Sequence, residues 1–68
     1  MCFKIETERE VYGRWTAGAV GLPGVMKCGQ SRADAIGKVE ALALRVLAER
    51  IEAGEDSIES LELRFAAA

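Results

Sequence analysis

Alternation governs the first third of the chain. From Cys2 to Glu10, Phe3, Ile5 and Thr7 fall on one side of an extended backbone and Lys4, Glu6, Glu8 and Glu10 on the other. A period of two predicts a half-buried strand. Val11-Tyr12-Gly13-Arg14 then places a glycine between two alternating runs, the mark of a hairpin loop. A second strand is predicted from Arg14 to Val20, with Trp15, Ala17 and Ala19 on one face. Gly21-Leu22-Pro23-Gly24 ends that ladder, because proline donates no backbone hydrogen bond and glycine accepts positive φ. Val25 to Gly29 follows as a short third strand, with Met26 and Cys28 facing away from Val25 and lending the outer face some apolar character.

The period then changes from two to 3.6. Ser31-Arg32-Ala33-Asp34 has the form of a capping box: the Ser31 hydroxyl can accept from the Asp34 amide, and the Asp34 carboxylate can reach back. Beyond it Ala35, Ile36, Val39, Leu42, Ala43, Val46, Leu47, Arg50 and Ile51 recur at three- and four-residue spacing and draw a stripe down a helix that ends at Gly54. A helix of about 23 residues, roughly 35 Å long, results. Gly37 lies inside it at a cost of about 1 kcal/mol relative to alanine, which a neighbouring backbone passing close by would explain. Ala41, Leu44 and Ala48 lie off the main stripe and widen the apolar surface toward a contact with a second copy or another chain. After the polar Glu55-Asp56-Ser57, alternation returns from Ile58 to Ala66, with Leu61, Leu63 and Phe65 opposite Ser60, Glu62 and Arg64. The predicted fold class is α+β in the order β-β-β-α-β, a single mostly antiparallel sheet packed on one long helix.

Length bounds this to one small domain over residues 1–68. Half the residues are apolar and 29% are charged, as in an ordinary globular domain. Nine basic and eleven acidic side chains leave a formal charge of −2, which disfavours direct nucleic-acid binding through phosphates. No apolar run approaches the roughly 20 residues of a membrane span, and the start Met1-Cys2-Phe3-Lys4 lacks the order of a signal peptide, so a cytoplasmic protein is expected. In that compartment Cys2 and Cys28 are expected to be reduced.

The chemistry-bearing residues point away from catalysis. The sequence has no histidine, and no metal-ligand cluster, phosphate loop or nucleophile with a base can be read in it. Neither an enzyme nor a cofactor is expected. Glu6, Glu40 and Glu62 are the candidate carboxylates for a metal-dependent nuclease, but spacing alone does not show that they converge, and Glu40 can equally pair with neighbouring arginines. Ser31 reads as a helix cap, since no base is present to activate it. Trp15 reads as core beneath the helix, ahead of the alternative of a binding hot spot. Glu6, Glu8 and Glu10, diluted by Lys4, form either a solvated strand face or an acidic strip matched to a basic protein, where complementary charge steers encounter.

Four pieces in order, Glu8-Arg9-Glu10, Gly13-Arg14-Trp15, Leu22-Pro23-Gly24-Val25 and Gly29-Gln30-Ser31-Arg32-Ala33-Asp34-Ala35, resemble the HicB-like antitoxin family over nearly the whole chain. The resemblance implies a partial ribonuclease H-like fold without nuclease activity, with the fourth strand beside the first. It also implies a partner, a small basic HicA-like toxin that cleaves messenger RNA and is blocked when the antitoxin covers its active site. Glu6, Glu8 and Glu10 would supply electrostatic matching, and Leu22 and Pro23 would shape the rim of the contact. Two departures stand out: Gly18-Ala19-Val20-Gly21 replaces a more polar or proline-containing stretch, and no DNA-binding domain follows the final strand. Operator binding by this chain alone is therefore not expected. The alternative is an orphan homo-oligomer, structural or regulatory, with no toxin partner; self-association is expected in either case, because a one-sided sheet leaves edges and a face uncovered.

Overall fold

The computed structural model describes residues 2–54 and 62–67. β1 (Cys2–Arg9), β2 (Trp15–Ala19), β3 (Met26–Gly29), α1 (Arg32–Glu52) and β4 (Arg64–Ala67) follow in that order, and the fold is α+β. The four strands form one mixed sheet in the order β3-β2-β1-β4. β1 and β3 each run antiparallel to β2, whereas β4 runs parallel to β1. Two parallel strands cannot be joined by a tight turn, so a crossover is required between β3 and β4, and α1 supplies it.

β1, β2 and β3 are each a little shorter than their alternating runs. Pairing stops at Arg9↔Trp15 in the first hairpin and starts at Met26 in the third strand, so Glu10, Arg14, Val20 and Val25 fall just outside the ladder. The final strand is predicted from Ile58; its paired part is Arg64–Ala67, in register from Cys2↔Arg64 to Ile5↔Ala67, and residues 58–61 lie outside the described residues. Phe65 lies opposite Phe3, their ring centroids 6.2 Å apart and tilted by 33°.

Turn chemistry fixes both connections. In the first hairpin Tyr12 (φ 65°, ψ 24°) and Gly13 (φ 77°) are both left-handed, the conformation that tight hairpin turns demand. The Glu10 amide donates to the Arg14 carbonyl at 2.6 Å to close it. In the second connection Leu22 accepts from the Val25 amide at 3.2 Å, with Pro23 and a left-handed Gly24 (φ 77°) between them. Proline followed by a positive-φ glycine is the type II pattern. This turn folds the Leu22 side chain inward, where it is only 3% exposed.

One face of the sheet carries the core. Ile5, Ala17, Ala19, Leu22 and Val25 meet Ala35, Val39, Ala43 and Leu47 of α1, and Trp15 packs half-buried against them. The helix lies over β2 and β3 far more than over β1. Alanines on both sides allow that close approach. Gly29 sets it: a Cβ there would stand 2.5 Å from the Ala35 nitrogen and 2.9 Å from its Cα. Gly37 makes no such approach, because a Cβ at that position meets nothing within 4 Å. The expectation of a crowded Gly37 is thus corrected, and the crowded glycine is the one at the end of β3.

The helix starts as the capping pattern requires. The Ser31 hydroxyl accepts from the Asp34 amide at 3.0 Å. The Asp34 carboxylate reaches back one residue beyond the cap, accepting from the Gln30 amide at 3.1 Å and meeting the Lys38 ammonium at 3.1 Å. The helix covers 21 residues, two fewer than expected, since its last turn ends at Glu52 and the left-handed Gly54 (φ 74°) follows. No described helix is long and apolar enough to cross a membrane.

Candidate protein-binding surface

Because α1 covers one face, every second residue of β1, β2 and β3 points to a face that no other described residue covers. Register gives the neighbours across that open face. Glu6 stands beside Gly18, which stands beside Met26, and the next row is Glu8, Thr16 and Cys28. Gly18 has no side chain, so the middle of the sheet is low there. Glu6 and Glu8 form one wall, while Val20 (49% exposed) and Met26 (61% exposed) form the other. The result is an open groove of about 440 Å³.

Glu10 joins this face from just beyond the strand. The Thr16 hydroxyl donates to its Oε1 at 3.1 Å and lies 3.9 Å from the Cys28 Sγ. The carboxylates of Glu6, Glu8 and Glu10 therefore belong to one side of the sheet, acidic toward the first hairpin. Lys4 projects from the same side of β1 at the opposite end, and Arg64 pairs there across from Cys2. The open face thus carries its row of carboxylates toward the first hairpin and mixed charge at the other end, where Glu62 lies beside Cys2 and Arg64, with a lightly apolar floor between them.

The remaining candidate residues are placed as follows. Pro23 is exposed in the turn beside the groove, whereas Leu22 is a core residue whose contribution to any rim is to hold that turn in place. Glu40 belongs to α1, on the other side of the sheet from Glu6, so these two carboxylates do not converge. Among the described residues no group of three or more potential ligands is disposed to hold a metal ion. Cys2 and Cys28 are free and exposed, on strands that are not neighbours. No protein-family model matches the chain, and neither does any curated protein or solved structure. What this surface can do rests on its own chemistry.

A row of carboxylates along an uncovered groove offers acceptors and negative potential to a cationic surface, and the methionine beside it offers adaptable apolar contact. Of the residues that build the floor and far wall, Thr16 was not singled out from sequence, and Gly18 and Val20 stood out only as part of a stretch that departs from the HicB-like pattern. Their signal is the same period of two that places Trp15, Ala17 and Ala19 inside: the intervening residues must face out.

Proposed function

We propose that this chain is a non-catalytic antitoxin of a type II toxin-antitoxin pair, which neutralises a HicA-like mRNA-cleaving toxin by covering its active site. The observation that carries the reading is the acidic row of Glu6, Glu8 and Glu10 beside an uncovered groove. A ribonuclease must present a basic surface to its RNA, and a protein that presents carboxylates in a strip competes for that same surface. A strand order with the fourth strand beside the first supports a partial ribonuclease H-like fold of the HicB kind. Inhibition is then steric, and charge serves to bring the two proteins together quickly and in register.

The test combines capture with kinetics. A pull-down from the native host should recover a small basic ribonuclease, and equimolar addition of this chain should stop its cleavage of RNA. Replacing Glu6 and Glu8 by lysine should slow association at low salt by at least about tenfold, with the difference shrinking as salt shortens the screening length to about 8 Å at physiological ionic strength. An unchanged association rate at low salt rejects the acidic row as the docking element. Recovery of this chain alone favours an orphan homo-oligomer.

A further inference from the structure

α1 has a second apolar side. Gly37, Ala41, Leu44, Ala48 and Ile51 follow one another at alternating steps of four and three residues, and all are exposed, Leu44 to 49% and Ile51 to 41%. At 3.6 residues per turn this line lies roughly 150° around the helix from the buried Ala35, Val39, Ala43 and Leu47. No charged residue falls on it. Lys38, Arg45 and Glu52 run along one flank, and Glu40 lies on the other. A helix with one face in a core ordinarily carries charge on the side away from it, so an apolar line there lacks a partner among the described residues.

We infer that this line is a self-association seam, which pairs two copies of the chain through α1 with their helices antiparallel. Steps averaging 3.5 residues are the spacing that keeps a contact line facing a neighbouring helix. The occupant follows from residue size. Along the line the residues at one of the two alternating positions are small, Ala41 and Ala48, and at the other they include the large Leu44 and Ile51. An antiparallel copy sets Ala41 against Ile51 and Leu44 against Ala48, so that each layer holds one large and one small side chain and fills evenly. A parallel copy in register stacks alanine on alanine and leucine on leucine, leaving gaps beside crowded layers.

Charge agrees with the same alignment. It brings Lys38 of each helix alongside Glu52 of the other, twice by symmetry, while the two Arg45 side chains near the axis can extend into solvent. A parallel pair would instead offer Glu40 to Arg45. Exposed ion pairs of either kind contribute little, so the filling of the layers decides the orientation. The seam lies on the far side of the molecule from the open sheet face, and the inference does not depend on what that face binds.

Sedimentation equilibrium on the full chain tests it. The mass should rise from 7.3 kDa toward twice that value with concentration. Leu44→Asp should weaken the dimer by at least roughly thirtyfold, the scale of a central interface residue. Ala48→Glu should do the same at a cost of only a few tenths of a kcal/mol in helix propensity, about the size of that residue-type difference, and unchanged far-ultraviolet circular dichroism would show that both variants fold. Met26→Asp, on the open sheet face, should leave the dimer intact. Orientation is read by spin labels on Ala33→Cys, with Cys2 and Cys28 replaced by serine: about 40 Å between labels for antiparallel helices, under about 20 Å for parallel ones. A chain that stays monomeric over the whole accessible range, a dimer indifferent to both seam variants, or a short label distance overturns the inference.

Discussion

Gly29 and Gly37 differ by eight positions and by everything that matters to a side chain. At Gly29 an added Cβ would stand 2.5 Å from the Ala35 nitrogen and 2.7 Å from the Asp34 Oδ2, so the first turn of the helix would have to move off the sheet. Gly29→Ala is expected to destabilise by about 2 kcal/mol or more. Gly37→Ala meets open space and is expected to stabilise by about 1 kcal/mol, raising the melting temperature by roughly 4–8 °C for a domain of this size. Thermal melts of the two variants at one protein concentration check both signs. Asp34 supplies a pH dependence at the same corner. The Gln30 amide and the Lys38 ammonium hold its carboxyl below the ordinary aspartate value, against a weaker opposing effect of desolvation. The unfolded chain therefore binds this proton more tightly than the folded one. The contribution is complete above the ordinary aspartate value and is lost as pH falls through the lower, folded one. Asp34→Asn should flatten that acid limb in denaturant titrations; an identical slope for both proteins would exclude Asp34 as its source. The serine and the aspartate of the cap are readable in sequence because capping is local. Which glycine is crowded is not, because the neighbour comes from another element.

At the scale of elements, the first hairpin keeps an aromatic residue where the backbone is left-handed. Tyr12 has φ 65° and is 98% exposed, so its ring returns no packing for a conformation that costs an L-residue about 1–2 kcal/mol. Asparagine tolerates that region better. Tyr12→Asn should therefore stabilise the hairpin, by about 1 kcal/mol, measured as a shift in the denaturant midpoint without a change in slope. The existence and order of the elements were legible because alternation and a 3.6-residue period reflect one-sided burial, and each element here buries one side. Their ends were less so: pairing requires a neighbour on the adjacent strand, and Glu10, Arg14 and Val25 alternate correctly yet fall outside the ladder. The second connection shows the converse. Leu22-Pro23-Gly24 was recognisable as a turn from proline and glycine alone, but nothing local said that the type II geometry would point Leu22 into the core.

At the scale of the molecule, the described residues form a two-layer unit with two surfaces that none of them covers, one on each side. The sheet face carries Glu6, Glu8 and Glu10 toward the first hairpin and mixed charge at the other end, Lys4 and Arg64 with Glu62. The outer face of α1 is apolar with alternating size and suits another helix of the same kind. Occupation of one leaves the other accessible, so a helix-paired dimer would present two acidic faces outward. Variants on one surface should accordingly leave the other's binding unchanged. The sequence by itself determined the composition of these faces, because periodicity assigns each side chain to an inner or an outer line and the charges travel with it. It also determined the α+β class and the cap at Ser31, which depend on residues within four positions of one another. Only the tertiary structure decided that β4 lies parallel to β1, that Gly18 sinks the floor between Glu6 and Met26, and that the helix settles on Gly29. These depend on registers between residues far apart in the chain, and a register is fixed by packing, where the whole core is filled at once.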